Sequence, residues 1–311
     1  MMVDDSEIKT KVSPFAMRTQ EIKVFDGKDG YVSMNQIIQK INLGHLTEIH
    51  FKILELVNKF EFVTSRQIYF LLKLQDENLI ASQDKLNTKL EQLVKCKILT
   101  RYYFTSVEGD GVFRIYCMEK MGKYLLTSRD IECKWQPSDN AKPVEMIKKK
   151  LAGNQVIVAF LRKSTHVDSY TLKPPVTDKI TGKIFKPILS IKFDYSKRKI
   201  DFIFDVIRRN STWKEDLKTR MNQYKDFYNN FVPGDSGFLN LPQLILVCED
   251  DKHMAEVFKE IVINNLSLDK IKIYYTTDMA QNSDKLDKSL YEFVEENSKY
   301  KIKNVEAKIL G

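Results

Sequence analysis

The sequence predicts an α/β protein, α+β overall, built in two successive parts. Two observations predict it. Between Thr47 and Leu99 apolar residues recur at helical spacing in three consecutive stretches, and residues 100–118 then turn to β-branched and aromatic types. Beyond residue 143 helical and strand periods alternate to the end of the chain. A length of 311 residues fits about two domains, and a hydrophobic fraction of 43% with 18 Phe can build two cores.

Residues 1–35 are polar with little periodicity and read as an N-terminal arm, with DGKDG at 26–30 as a turn. A first domain is expected over 36–130. Residues 36–46 (QIIQKINLGHL) form a short leading helix ending near Gly44. Residues 47–60 place Ile49, Ile53, Leu54, Leu56 and Val57 on one helical face. After a turn comes 64–74 (TSRQIYFLLKL). A polar loop then leads to 82–99, where Ser82 is the N-cap and Leu86, Leu90, Leu93, Val94 and Ile98 form the buried stripe. The chain continues as TRYYFTS at 100–106, turns through Glu108-Gly109-Asp110-Gly111 and returns as VFRIYCM at 112–118.

Three helices followed by a hairpin is the layout of a winged helix-turn-helix, in which one helix lies in the DNA major groove while the hairpin holds the backbone. On this reading the helix at 82–99 turns Gln83, Lys85, Asn87, Thr88, Lys89 and Gln92 toward the groove, with Ser82 at its start. Amides pair with adenine edges, and Lys reaches guanine or phosphate. Arg101 and Arg114 on the hairpin meet phosphate, and Thr64, Ser65, Arg66 and Gln67 at the second helix's start bond the backbone. The alternative is an ordinary solvated face, since Asp84 and Glu91 lie on or near it; a winged helix can also serve as a protein-binding scaffold.

A linker is expected at 131–143, punctuated by Pro137, Ser138, Asp139, Asn140 and Pro143, with Trp135 packed onto a neighbouring domain. The second domain, 144–311, opens with a helix at 143–163 whose Gly153-Asn154 predicts a kink or a mid-helix break. Strands follow at 166–172, 187–194 and 199–207, the last two joined by a hairpin turn at Tyr195-Ser196-Lys197-Arg198. Then come a helix at 212–229, an apolar strand at 243–248 suited to burial on both faces, a helix at 251–265, a strand at 271–276 and a final helix around 284–297. This order describes an α/β sandwich with a mixed sheet.

Strand, strand, strand, helix, strand is also the core order of restriction-endonuclease-like folds. The chain resembles the replication-relaxation proteins of Gram-positive plasmids and mobile elements, over most of 45–280. Lys186-Pro187-Ile188 stands where that family has Pro-Asp. Phe204-Asp205-Val206-Ile207-Arg208-Arg209 matches the acidic strand end, and Arg220-Met221-Asn222-Gln223-Tyr224 matches a helical Lys-x-x-x-Tyr pattern with Arg for Lys. In active nucleases of this fold two acids hold divalent metal and a lysine orients the attacking water. Here Ile188 replaces the first acid, and no lysine follows two residues after Asp205. Asp201 and Asp205 share a strand face and are the weak catalytic candidates. The alternative is that Asp201 is exposed and that Asp205 pairs with Arg208, Arg209 or a helix residue. The resemblance therefore implies a nuclease-like scaffold that does not cut. No cofactor is expected, with Mg²⁺ entering only if the domain is an endonuclease.

Composition narrows the classes. Net charge is +8, from 50 Lys and Arg against 42 Asp and Glu, which favours a polyanionic partner. Cys96, Cys117, Cys133 and Cys248 lie far apart without a CxxC pair, so no zinc site is expected and the first two read as buried thiols. No apolar run approaches the roughly 20 residues of a membrane span, and the N-terminus is no secretory signal, which together point to the cytoplasm. There is no P-loop, GxSxG or HExxH, and His45, His50, His166 and His253 form no metal-spaced pair. The function expected is sequence-specific binding of double-stranded DNA in replication, transfer or transcriptional control of a plasmid or mobile element. The partners expected beside DNA are a second copy of the chain and replication or conjugation proteins. The alternatives are a metal-dependent endonuclease or nickase and a protein-interaction scaffold.

Overall fold

The structure, a computed structural model, describes residues 13–111, 113–177, 181–196, 198–282, 285–296 and 299–310. Residues 1–12 of the expected arm, Val112 of the expected return strand, Lys197 of the expected hairpin turn and the ends of the expected helix 284–297 lie outside them. The protein is mixed helix and strand, α+β, in two compact units. One is Met17–Arg162; the other is Lys163–Gly311 with the described residues before Met17.

The first unit runs β1 (Ile22–Phe25), α1 (Met34–Asn42), α2 (Glu48–Phe60), β2 (Val63–Thr64), α3 (Ser65–Gln75), α4 (Gln83–Lys95), β3 (Leu99–Ser106), β4 (Gly109–Asp110), β5 (Ile115–Met118), α5 (Lys120–Thr127) and α6 (Val144–Lys163). Its helices begin where short polar side chains cap them: Ser33 before α1, Thr64 before α3 and Ser82 before α4 each accept from a backbone N–H of the first turn. The core is drawn from their apolar faces, with Ile53, Val57, Ile68, Leu72, Leu86, Leu90 and Ile98 fully buried. The strands form one antiparallel sheet in the order β1-β3-β5-β2, with β4 also on β3. The arm therefore contributes an edge strand, Ile22–Phe25 pairing with residues 102–105 of β3. The hairpin reverses at Val107-Glu108, one residue earlier than expected, because Gly109 and Asp110 already pair with Ser106 and Thr105.

The sequence places the domain boundary in the polar linker at 131–143, whereas the units divide after Arg162. The linker folds back instead: Asn140 donates to Met118 O and accepts from Trp135 Nε1, and Lys123 donates to Trp135 O. The helix is unbroken at Gly153-Asn154, where the sequence suggests a kink or a break, for a related reason. Asn154 is 1% exposed, and its amide donates to Phe60 O and Phe62 O, satisfying carbonyls where α2 ends. Gln67 donates to Leu151 O of the same helix, and buried Lys148 pairs with Glu21. These polar ties hold α6 in the first unit.

The second unit runs β6 (Val167–Leu172), β7 (Val176–Thr177), β8 (Ile184–Phe185), β9 (Leu189–Tyr195), β10 (Arg198–Val206), α7 (Trp213–Asn229), β11 (Gln243–Cys248), α8 (Asp251–Ile263), β12 (Ile273–Thr277), α9 (Asp278–Asn282), β13 (Leu290–Glu296) and β14 (Lys299–Val305). Seven strands form a mixed sheet in the order β14-β13-β12-β11-β10-β9-β6. Strands β10, β11 and β12 are parallel, and the outer pairs are antiparallel. Leu217, Met221 and Tyr224 of α7 and Met254, Val257 and Ile261 of α8 share one core with Ile203, Leu244 and Leu246 of the sheet. The expected final helix is a strand hairpin. Tyr291 and Phe293 alternate with Glu292, the strand period, and Phe293 packs edge-on against Tyr275 at 5.1 Å. Tyr291 and Phe293 thus pack against the core, and β13 registers on β14 with Phe293 opposite Ile302.

Candidate nucleic-acid interface

Helix α4 buries Leu86, Leu90, Leu93 and Val94 and turns its opposite side outward. Lys85, Asn87 and Thr88 are exposed; Gln83 and Lys89 are half-buried. Their bonds are local. Gln83 donates to Asn87 Oδ1 at 3.1 Å, and Thr88 donates to Asp84 O at 3.0 Å. Ser82 is spent as the cap, its Oγ accepting from Lys85 N. Gln92 is not free for readout, since its Oε1 lies 2.8 Å from His50 Nε2. His50 accepts from Thr47 N through Nδ1, which leaves Nε2–H to donate to Gln92. Burial holds the His50 pKa below its usual value, and nearby Lys89 adds to the effect while the Gln92 bond opposes it.

The start of α3 divides likewise. Thr64 is 5% exposed, and with Gln67 it forms a reciprocal capping pair: Thr64 Oγ1 accepts from Gln67 N and Gln67 Oε1 accepts from Thr64 N. With Gln67 1% exposed and bonded to α6, neither residue can reach a ligand, which corrects the expectation for both. Ser65 is half-buried and Arg66 is exposed.

The hairpin arginines are also engaged. Arg101 donates to Glu91 at 2.7 Å and to Asp26, and Arg114 pairs with the same Asp26. Burial disfavours the Arg101 charge, but Glu91 and Asp26 outweigh it and hold its pKa above the usual value. Two arginines facing two carboxylates nearly cancel as a long-range field. Glu108 and Asp110 are exposed at the hairpin tip. Of the expected DNA-contacting cations, Lys85, Lys89 and Arg66 have no carboxylate partner among the described residues.

In the second unit the motif residues do come together. Asp205 is fully buried; its Oδ2 accepts from Tyr224 OH at 3.2 Å and from Arg220 Nε at 3.1 Å, and its Oδ1 accepts from Val206 N at 3.0 Å. The strand-end acid and the two helix residues of the quoted pattern thus form one cluster. Asp201, on the same face, is buried rather than exposed, and burial raises its pKa against the pull of Lys192. Register places Leu189 opposite Phe204, so Ile188 stands level with Asp205. A catalytic divalent ion needs inward carboxylates with free oxygens close together. With Arg220 and Tyr224 on Asp205 Oδ2 and an isoleucine across from it, these residues do not fit one.

A cluster that sequence reasoning missed lies where β10, β11 and β12 end. Arg208 pairs with Asp278 at 2.7 Å, both almost wholly buried, and Ser13 donates to the same carboxylate. Arg209 reaches Glu249, Asp250 and Glu256. His253 is 0% exposed and accepts from Glu249 N; burial, reinforced by Arg209 and Arg208, pushes its pKa down to about 3. The signal was weak because the partners lie about 40 and 70 residues apart in the chain. Cys96, Cys117 and Cys248 are buried free thiols. No helix among the described residues is long and apolar enough to cross a membrane. No protein-family model, curated protein or solved structure matches the chain.

Proposed function

We propose that Met17–Arg162 is a winged helix-turn-helix and that the protein binds double-stranded DNA at specific sites, in replication, transfer or transcriptional control of a plasmid or mobile element. The order helix, strand, helix, helix and then antiparallel strands, from α2 to β5, supports the first statement. The observation that carries the second is the solvent side of α4, where Lys85, Asn87 and Thr88 stand exposed while every apolar residue of the helix faces the core. An amide and cations on one rigid helix suit adenine and guanine edges. The mobile-element setting rests on the resemblance alone, as do replication or conjugation proteins as partners. A second copy of the chain would match a palindromic site. On this reading the second unit is a nuclease-like scaffold that does not cut, supported by the pairing of Asp205 with Arg220.

Selection from a random duplex pool, followed by anisotropy, tests the reading. A defined enriched motif whose binding is lost in a Lys85→Ala/Asn87→Ala/Lys89→Ala variant is the expected result. No enrichment, or unchanged affinity in the variant, overturns it. The acidic hairpin tip, with Val107 exposed beside Glu108, favours a second reading in which the hairpin meets protein; that reading predicts no salt-dependent binding to duplex DNA.

A further inference from the structure

Most arginines of the described chain are spoken for. Arg101, Arg114, Arg129, Arg208 and Arg220 are each held by a carboxylate. Arg66 and Arg162, like Arg198, are not: both are exposed, and no carboxylate among the described residues lies within ion-pair distance of either. Arg66 and Arg162 alone among these share an anchor instead. The guanidinium carbon of Arg162 lies 3.6 Å from the centroid of the Phe70 ring, and that of Arg66 lies 5.5 Å from the same centroid. Arg66 comes from the first turn of α3 and Arg162 from the far end of α6, so the tertiary fold alone brings them together. Each long side chain has its planar group within cation–π distance of one aromatic ring, and its donors have no partner among the described residues.

We propose that Arg66 and Arg162, seated on Phe70, form a two-armed clamp for the phosphate backbone of duplex DNA. The inference rests on the DNA-binding reading and extends it to a helix outside the expected winged module. The chemistry is specific. Guanidinium forks bind phosphate oxygens in bidentate fashion, and arms already held lose less side-chain freedom on binding. The α3 N-terminus beside Arg66 adds the positive end of a helix dipole. Lys73, two turns further along α3, lies 5.9 Å from the Tyr69 ring and continues the basic, aromatic character of this face. A backbone clamp carries no sequence information, so it strengthens all duplexes alike while α4 discriminates among them.

The test is anisotropy of the full chain against a selected duplex and an unrelated one, from about 50 to 200 mM salt. Arg162→Ala is expected to weaken both duplexes alike, about tenfold, and to make the slope of log affinity against log salt shallower by about 1. Arg66→Ala should do the same and the double variant should lose about 2, while Arg162→Lys keeps the slope near that of the native chain. If Arg162→Ala leaves affinity and slope unchanged while the α4 variant loses the selected duplex, the clamp is overturned and the reading of α4 stands. If the native chain binds no duplex, both fall. If Arg162→Lys behaves like Arg162→Ala and both melt earlier than the native chain, Arg162 is a packing residue and the clamp is overturned.

Discussion

Helix α4 and the end of strand β10 both carry charge-rich sequence, and the structure treats them in opposite ways. On α4, Lys85 and Asn87 face solvent, and the bonds that the helix's polar groups make are mostly to one another. At β10, Asp205 and Arg208 lie inside the unit, each matched to a partner of opposite charge at 3.1 and 2.7 Å. Burying a charge is costly unless it is paired and hydrogen-bonded, so the second set is committed to the fold. An exposed cation retains its hydration and its freedom to exchange water for phosphate. The comparison teaches that a site is marked by which charges remain unspent after folding.

The strongest way to break the comparison is to remove one half of the buried pair. Arg208→Ala leaves the Asp278 carboxyl buried without its cation, with Ser13 as its remaining side-chain donor among the described residues, and is expected to cost about 3–5 kcal/mol in urea unfolding. A loss below about 1 kcal/mol would show that the strand-end charges are as dispensable as surface ones. The reciprocal experiment is the α4 triple alanine variant. It should forfeit at least about 1 kcal/mol of sequence discrimination for each base-edge hydrogen-bonding pair removed, with unfolding within about 0.5 kcal/mol of native.

Acidity sharpens the contrast next. With His253 held near a pKa of about 3 by burial, the unfolded chain binds its proton more readily than the folded one. The stability that comes from its neutral form is complete above the unfolded value of about 6.5 and is lost as pH falls toward 3. From pH 8 to pH 5 the loss should be about 2 kcal/mol, and His253→Gln should flatten that part of the profile. His50, also lowered, adds a loss of the same sign. The smallest effect concerns Thr64. As a cap and not a ligand contact, Thr64→Ala should cost about 1 kcal/mol of stability and leave the salt dependence of DNA binding unchanged.

Much of the architecture was legible. Leu86, Leu90, Leu93 and Val94 announce α4, Ser82 announces its start, and the apolar run at 243–248 is a central strand. Where local pattern misled, it competed with long-range pairing. Gly153-Asn154 looks like a break, yet Asn154 spends its amide on two carbonyls of another segment. The stretch at 290–296 has too few residues to separate helix from strand by period, and its pairing with 299–305 decided the matter. Gln67, Gln92 and Arg101 are polar residues on helix faces or hairpin positions that look available in sequence. Leu151, His50 and Glu91 claimed them.

The sequence by itself determined where most helices and strands begin, which faces are apolar and that positive charge is in excess, because these depend on composition and on residues within a turn or two of each other. Only the tertiary structure decided that α6 belongs with the first unit, that Asp205 answers to Arg220, and that Arg66 and Arg162 meet on one ring while Arg101 and Arg114 of the hairpin are paired with carboxylates. Those outcomes turn on interactions between groups far apart in the chain, and local spacing carries no record of which distant partner will compensate a buried charge.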